Sequence, residues 1–205
     1  MNAIEIKFSK QISEVDIYQT LVKYYPNLIT DFYEFQRIWF YRSYKAFKDY
    51  DKYVILIYLF RRHFKTYSQY FIKKSFDEFY NQEAFEIEQF NIVEISKELN
   101  LKKETARRKL IELEKSGIIQ KTKKIIKLNQ KAIDIDRPVD PLMAISRLAS
   151  NFSKPLFKDK FLRNEVSADD FKNLAKKNYT QFWMFFLDFQ IPYILKWKNF
   201  YDGDL

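Results

Sequence analysis

Clustered positive charge is the feature of this sequence best suited to a chemical role. Residues 101–131 carry +8 of the chain's formal net charge of +9. The cations in this segment are Lys102, Lys103, Arg107, Arg108, Lys109, Lys115, Lys121, Lys123, Lys124, Lys127 and Lys131. Such a concentration is the electrostatic footprint expected of a protein that binds a polyanion.

The order of residue types within 103–115 divides this stretch into two faces. On a helix, Ala106, Leu110 and Leu113 form one stripe, which would face the domain core. Four polar side chains project away from that stripe: Glu104, Thr105, Arg107 and Arg108. Arg can bind guanine through two hydrogen bonds, and Thr can reach a base edge or the thymine methyl group. The polar face is therefore suited to reading bases in a major groove.

Lysines on either side of this face are predicted to add affinity rather than specificity. Lys103 and Lys109 are placed to contact phosphates, which carry no sequence information, and Lys102 completes the predicted DNA-binding set of the helix. Three more predicted DNA contacts follow in the chain: Lys121, Lys123 and Lys124. These would approach the flanking backbone or the minor groove.

Two short helices and a hairpin must position these side chains. The segment "NIVEISKEL" predicts a short amphipathic helix, with Asn91 as N-cap and Glu94 at the position of a capping-box partner. A second helix is predicted at 103–115, and Gly117 falls where a helix C-terminus needs a positive φ. The β-type runs "IIQKT" and "IIKL" then predict a small hairpin.

This order of elements carries a family resemblance. The stretch "IVEISKELNLKKETARRKLIELEKSGIIQKTKKIIKL" resembles the winged helix-turn-helix of bacterial transcription regulators such as the MarR and GntR families. Ser96 stands in the place of the usual Ala, Asn100 replaces the turn Gly, and Lys102 departs from the family's Ser cap. The residues that match directly are Leu99, Leu101, Thr105, Ala106, Leu110, Leu113, Gly117 and Ile118.

The resemblance implies double-stranded DNA as a partner, with the helix at 103–115 in the major groove and the hairpin as a wing. In MarR-like proteins, N- and C-terminal helices of two subunits build a dimer interface, so the resemblance also implies a homodimer on a pseudo-palindromic site. Two departures are that this chain is longer than typical MarR proteins and that its wing lacks their Asp-x-Arg tip. A small-molecule effector is left open, because no residue pattern identifies a ligand.

The flanking segments complete the predicted architecture. Because Gly is scarce and apolar residues recur at helical spacing, we expect a mostly α fold: a winged helix-turn-helix domain with a small β-hairpin wing, flanked by N- and C-terminal helices. The predicted domains are 1–82, 83–133 and 134–205. Aromatic stripes in the two flanking segments suit either a dimer interface or an intramolecular core.

Within the N-terminal segment, Pro26 predicts a break between two helices. Asp49 to Asp51 predict a cap region, followed by a long helix that ends near Lys74. Its apolar run "VILIYLF" fits a buried strand or a helix, and the helical spacing that continues after it favours the helix.

Within the C-terminal segment, residues 134–141 predict a linker. Helices are predicted near 141–152 and 167–190, with Ser167 as the N-cap of the second and Pro192 at its end.

Enzymatic chemistry finds little support. Cys is absent, which excludes thiolate metal sites and cysteine nucleophiles. His63 is the only histidine, so a zinc site is excluded, and we expect it to be solvated or to contact backbone. Glycine-rich phosphate loops are also absent. The sequence thus predicts a protein that is not an enzyme and that needs no cofactor or metal.

Membrane insertion is not expected. The most apolar segment, 182–197, is interrupted by Asp188, Gln190 and Pro192 and falls short of the ~20 apolar residues that a spanning helix needs. The N-terminus lacks an apolar stretch of signal-peptide length. We therefore expect a cytoplasmic, nucleoid-associated protein.

The sequence as a whole predicts a sequence-specific DNA-binding transcriptional regulator. Two alternatives remain open at this stage. The first is a plasmid or phage replication initiator, which also uses winged helices, and the second is a winged-helix module that binds another protein.

Overall fold

The computed structural model describes residues 6–81, 84–87, 91–129, 132 and 138–200. Three strands form an antiparallel sheet, and most other described residues are helical. The helices are α1 (Glu14–Phe47), α2 (Tyr50–Gln69), α3 (Phe76–Tyr80), α4 (Ile92–Glu98), α5 (Lys103–Lys115), α6 (Val139–Lys158), α7 (Ala168–Lys177) and α8 (Tyr179–Phe200); the strands are β1 (Ala84–Ile87), β2 (Ile119–Thr122) and β3 (Ile125–Asn129). The predicted mostly α class with a small β-hairpin is confirmed.

The chain divides into two compact units. The first comprises Met1–Arg42 and Pro138–Lys176, and the second comprises Ser43–Arg137 and Lys177–Leu205. This division differs from the three predicted segments because α2 packs against α5, β1 and α8 within the second unit.

Helix α2 is the core of the second unit. Its residues from Tyr53 to Phe60 are all buried, because α5, β1 and α8 cover it on several sides. The predicted cap is confirmed, since the Asp49 side chain accepts a hydrogen bond from the Lys52 N–H at 3.1 Å. The helix ends at Gln69, five residues before the predicted end.

An aromatic cluster joins α2 to its neighbours in the second unit. Phe60 and Phe64 of α2 lie within 6.1 Å of the Phe79 ring centroid, and Phe60 packs edge-on to Phe85 of β1 at 5.3 Å. Tyr179 of α8 shares a hydrogen bond between hydroxyl groups with Tyr80 at 2.7 Å. These aromatic residues therefore form a core within the chain.

In the first unit, α1 has a buried inner face and a polar contact with α6. Leu28, Phe35 and Trp39 are buried on the inner face of α1. In the polar contact, Asn151 of α6 donates a hydrogen bond to Asp31 at 2.6 Å.

Both prolines that were predicted to end helices lie inside helices, so those two predictions are wrong. Pro26 lies within α1, and Pro192 lies within α8. An internal proline costs one backbone hydrogen bond and about 3 kcal/mol. Buried side chains after each proline, such as Phe35 in α1 and Ile194 in α8, offset that local cost.

The C-terminal boundaries also differ from the prediction. Helix α6 begins at Val139, inside the predicted linker, while residues 134–137 lie outside the described residues. The predicted helix at 167–190 is two helices, α7 and α8, which meet at Asn178. The N-cap is confirmed, since the Ser167 hydroxyl accepts a hydrogen bond from the Asp170 N–H at 3.1 Å.

Five helices are each followed closely by a residue whose backbone is in the left-handed region, with a positive φ. Only one of the five is glycine; they are Lys48, Phe71, Asn100, Gly117 and Lys160. At α2, the N–H of Ile72 bonds to the Tyr67 carbonyl at 2.8 Å, which closes a Schellman motif around Phe71. A non-glycine residue in this conformation costs about 1–2 kcal/mol.

Replacing Phe71 by Gly is therefore expected to raise the free energy of unfolding by about 0.5–1 kcal/mol, because glycine avoids the left-handed penalty but loses more entropy on folding. Phe71 is 93% exposed, so little packing is lost. Urea denaturation at neutral pH measures the change. Phe71→Ala is the control, since it keeps the Cβ atom, and equal stability of the Gly and Ala variants would contradict the prediction.

Candidate nucleic-acid interface

The inner faces of α4 and α5 pack into the core of the second unit. Ile95 and Leu99, at α4, are fully buried, as are Ala106, Leu110 and Leu113 of α5. The predicted inward stripe of α5 is thus confirmed. Its burial fixes the rotation of α5 and leaves the opposite face to solvent.

A tight turn links α4 to α5. Asn100 adopts a φ of 48°, as expected for the residue that replaces the turn Gly. The N–H of Leu101 donates to the Ser96 carbonyl at 2.9 Å, and the Ser96 hydroxyl donates to the Leu101 carbonyl at 2.6 Å. Two hydrogen bonds between the same residue pair hold the turn. The Asn91 cap of α4 is confirmed, whereas the Glu94 carboxylate pairs with Arg62 at 2.8 Å.

The ends of α5 lie where the sequence predicts them. The helix begins at Lys103, and Lys102 occupies the N-cap without a side-chain hydrogen bond, as expected from its poor capping chemistry. Gly117 follows the helix with a φ of 71°, and a Cβ atom there would meet nothing within 4 Å. Glycine is therefore favoured at this position by its backbone conformation and not by space.

A third strand supports the predicted hairpin, and the sequence analysis missed it. In β1, Phe85 pairs with Leu128 of β3, and Ile119 of β2 pairs with the same Leu128 from the other side. Strand β1 thus extends the hairpin to a three-stranded sheet whose middle strand is β3. The alternation in "AFEI", with Phe85 and Ile87 buried, was the available signal for this strand.

The hairpin is tied directly to α5. The Glu114 carboxylate of α5 accepts a hydrogen bond from the backbone N–H of Lys121 in β2 at 3.0 Å. The lysines at the hairpin turn, Lys123 and Lys124, are exposed. The structure therefore brings the helix and the hairpin of the charged segment together.

Exposed cations cover the solvent side of α5 and of the hairpin. Arg108 is 67% exposed, with only a long contact of 3.8 Å to Glu112, and Arg107 has no charged partner among the described residues. We call this region the basic surface; it comprises Lys102, Lys103, Arg107, Arg108, Lys115, Lys121, Lys123, Lys124 and Lys127, all exposed. Of the other predicted DNA contacts on α5, Glu104 is exposed and Thr105 is half-buried.

Lys109 does not belong to the basic surface. The prediction that Lys109 contacts a phosphate is wrong. The side chain is only 14% exposed, and its Nζ atom lies 2.5 Å from an Asp49 carboxylate oxygen. That hydrogen bond raises the pKa of Lys109. Burial alone would raise the pKa of Asp49, but the hydrogen bonds from Lys109 and from the Lys52 backbone hold it below its usual value.

The contact between Lys109 and Asp49 docks α5 onto the start of α2. A second ion pair, between Lys52 and Glu112 at 3.4 Å, joins the same two helices. Asp49 therefore caps α2 and also orients α5. Sequence reasoning missed this role because the two partners are 60 positions apart.

His63 lies in the core and not at the surface, which corrects the expectation of a solvated side chain. Its ring stacks on Phe85, with the ring centroids 4.1 Å apart. It also hydrogen bonds with the Glu86 backbone, so the alternative prediction of a backbone contact is confirmed. Burial, together with the nearby charge of Lys74, lowers the pKa of His63 to about 4. A buried, neutral histidine of this kind is a core residue.

The described part of the chain lacks two further features, a metal-ion cluster and a membrane-spanning helix. Those residues contain no group of three or more His, Asp or Glu placed to hold a metal ion. Among the same residues, no helix has both the length and the apolar character that crossing a membrane requires. No family model, curated protein or solved structure matches this chain.

Proposed function

We propose that this protein is a sequence-specific DNA-binding transcriptional regulator that uses a winged helix-turn-helix, as a homodimer on a pseudo-palindromic operator. The observation that carries the proposal is the basic surface. Its cations lie on the solvent side of α5, whose other side is buried, and on the hairpin that follows, so they are presented together to a polyanionic partner.

The order of the elements supports the winged-helix part of the proposal. Two helices joined by a tight turn, α4 and α5, are followed by a hairpin, β2 and β3, that is tied to α5. The hairpin is braced by β1 and so presents its lysines on a supported sheet rather than on a free loop.

Each part of the basic surface has a proposed role. Arg107 and Arg108 read base edges from the exposed face of α5, with Thr105 and Glu104 beside them. Lys102 and Lys103 contact phosphates at the start of the helix. The lysines of the hairpin hold the flanking backbone, which fixes the register of the helix on the duplex.

Affinity for duplex DNA is expected to fall about a thousandfold between 50 and 200 mM salt if about six of these cations contact phosphates, because each contact releases a counterion. A mobility-shift or fluorescence-anisotropy titration over that salt range, with random and selected genomic fragments, measures this. Specific binding additionally predicts a preference for the selected fragments at the higher salt.

The same titration separates the proposal from its alternatives. Absence of a complex at every salt concentration would contradict DNA binding and favour a protein partner for the basic surface. Selected sites arranged as direct repeats, rather than as an inverted repeat, would contradict the dimeric regulator and favour a replication initiator.

A further inference from the structure

The N-terminal half of α1 has an apolar face that lies outside the core of the first unit. Thr20 and Leu28 are buried on the inner face, and Tyr24 on that side donates a hydrogen bond to Asp159 at 3.1 Å. On the outer face, Val15, Tyr18, Val22 and Tyr25 are 55–68% exposed, and Ile29 is half-buried.

The outer residues follow a strict seven-residue repeat. Val15, Val22 and Ile29 occupy one position of the repeat, and all three are β-branched. Tyr18, Tyr25 and Phe32 occupy the position three residues later, and all three are aromatic. This 3-4 spacing is the pattern by which one helix packs along another. We call these six residues the α1 stripe.

Charge is almost absent from the α1 stripe and its edges, although 31% of the chain is charged. Between residues 15 and 33 only Asp16, Lys23 and Asp31 are charged. Asp16 bonds to Ser13 before the helix, and the other two pair with α6 residues or their neighbours on the inner side. Depletion of charge is typical of the centre of a protein interface.

A second copy of the chain offers this face a partner of the same length and the same residue spacing. The α1 stripe is about 26 Å long at 1.5 Å per residue. Its repeat is that of a helix-binding surface, and a helix with a matching surface exists in every copy of the chain.

We propose that the α1 stripe is the homodimer interface, and that it pairs antiparallel with the α1 stripe of a second copy. The inference deepens the homodimer part of the proposed function. In the antiparallel arrangement, Val22 meets Tyr25 of the second copy, and Tyr18 meets Ile29 of the second copy. Each large ring then packs against a smaller β-branched side chain, which fills space better than ring against ring. The arrangement is also two-fold symmetric.

Light scattering of the full chain without DNA tests the interface. We expect the wild type to have twice the 25.1 kDa chain mass, and Val22→Glu and Tyr25→Glu each to have the single mass, with unchanged circular dichroism because both positions are exposed. The matched control is Tyr41→Glu, an exposed tyrosine of α1 that lies off the stripe and is expected to remain dimeric. A monomeric wild type, or dimeric Val22→Glu and Tyr25→Glu variants, would overturn the proposal.

Disulfide cross-linking tests the orientation, since the natural chain has no Cys. Tyr18→Cys mixed with Ile29→Cys, after subunit exchange, is expected to cross-link. Tyr18→Cys alone is not, because the two copies of residue 18 are then about 16 Å apart along the helices, beyond the ~7 Å limit for a disulfide. Cross-linking of Tyr18→Cys alone would contradict the antiparallel pairing.

DNA binding is measured in a separate experiment, so that failure of the interface and failure of DNA binding can be distinguished. A dimer that does not bind DNA would leave the interface standing and contradict the proposed function. A monomer with salt-dependent DNA binding would contradict the interface and the dimeric part of the proposed function, and would leave DNA binding by the basic surface standing.

Discussion

Reversing Arg107 and Arg108 to Glu together is expected to lower the affinity for duplex DNA by about a hundredfold or more at 0.1 M salt. Each base contact of an arginine contributes about 1–3 kcal/mol, which is roughly five- to hundredfold in affinity, and the new negative charges repel the DNA. The preference for selected over random fragments should also fall, because both arginines are proposed to read base edges. Both side chains are exposed, so the fold should be unaffected.

The control for this variant makes the same change of charge elsewhere. Lys45→Glu together with Lys177→Glu alters the net charge equally, at exposed lysines of α1 and α7. We expect it to lower affinity only slightly, through the overall field of the molecule. Equal losses in the two double variants would show that net charge, and not the basic surface, governs binding.

Acidification is expected to destabilise the fold through His63. The pKa of His63 is about 4 in the folded chain, against an ordinary value of 6.5. Above pH 6.5 both states are neutral and stability is full; as pH falls from 6.5 to 4, only the unfolded state takes up the proton, so the free energy of unfolding decreases. The full loss is about 3 kcal/mol, and it is complete below pH 4.

Urea denaturation at several pH values, compared with His63→Phe, isolates this effect. The variant keeps a ring against Phe85 but cannot be protonated, and the chain has no other histidine. Carboxylates titrate in both proteins and cancel in the difference. We expect the variant to gain stability relative to the wild type as pH falls from 7 to 4. A constant difference between the two proteins would contradict the burial of a neutral His63.

Local signals account for what the sequence predicted well. The bounds of α5 follow from its apolar spacing and from Gly117, and the turn before it follows from the tolerance of Asn100 for positive φ. Each of these depends on a residue and its near neighbours, so the sequence contains the information directly.

Long-range packing accounts for what the sequence did not predict. Pro26 and Pro192 carry a local preference to end a helix, and burial of residues farther along each helix outweighs it. Lys109 is of a residue type that commonly contacts phosphates, and only the fold reveals that Asp49 lies beside it. His63 follows two arginines in the sequence, yet α2 turns its ring toward β1.

The left-handed residues beyond five helices have a consequence for how this protein tolerates change. Three of them, Lys48, Phe71 and Lys160, have no special preference for that conformation, and together they cost about 3–6 kcal/mol. A domain of this kind has a total stability of only about 5–15 kcal/mol. None of the three belongs to the basic surface or to the α1 stripe. Glycine at these positions is therefore a reserve of stability that could offset damaging substitutions elsewhere without altering either proposed interface.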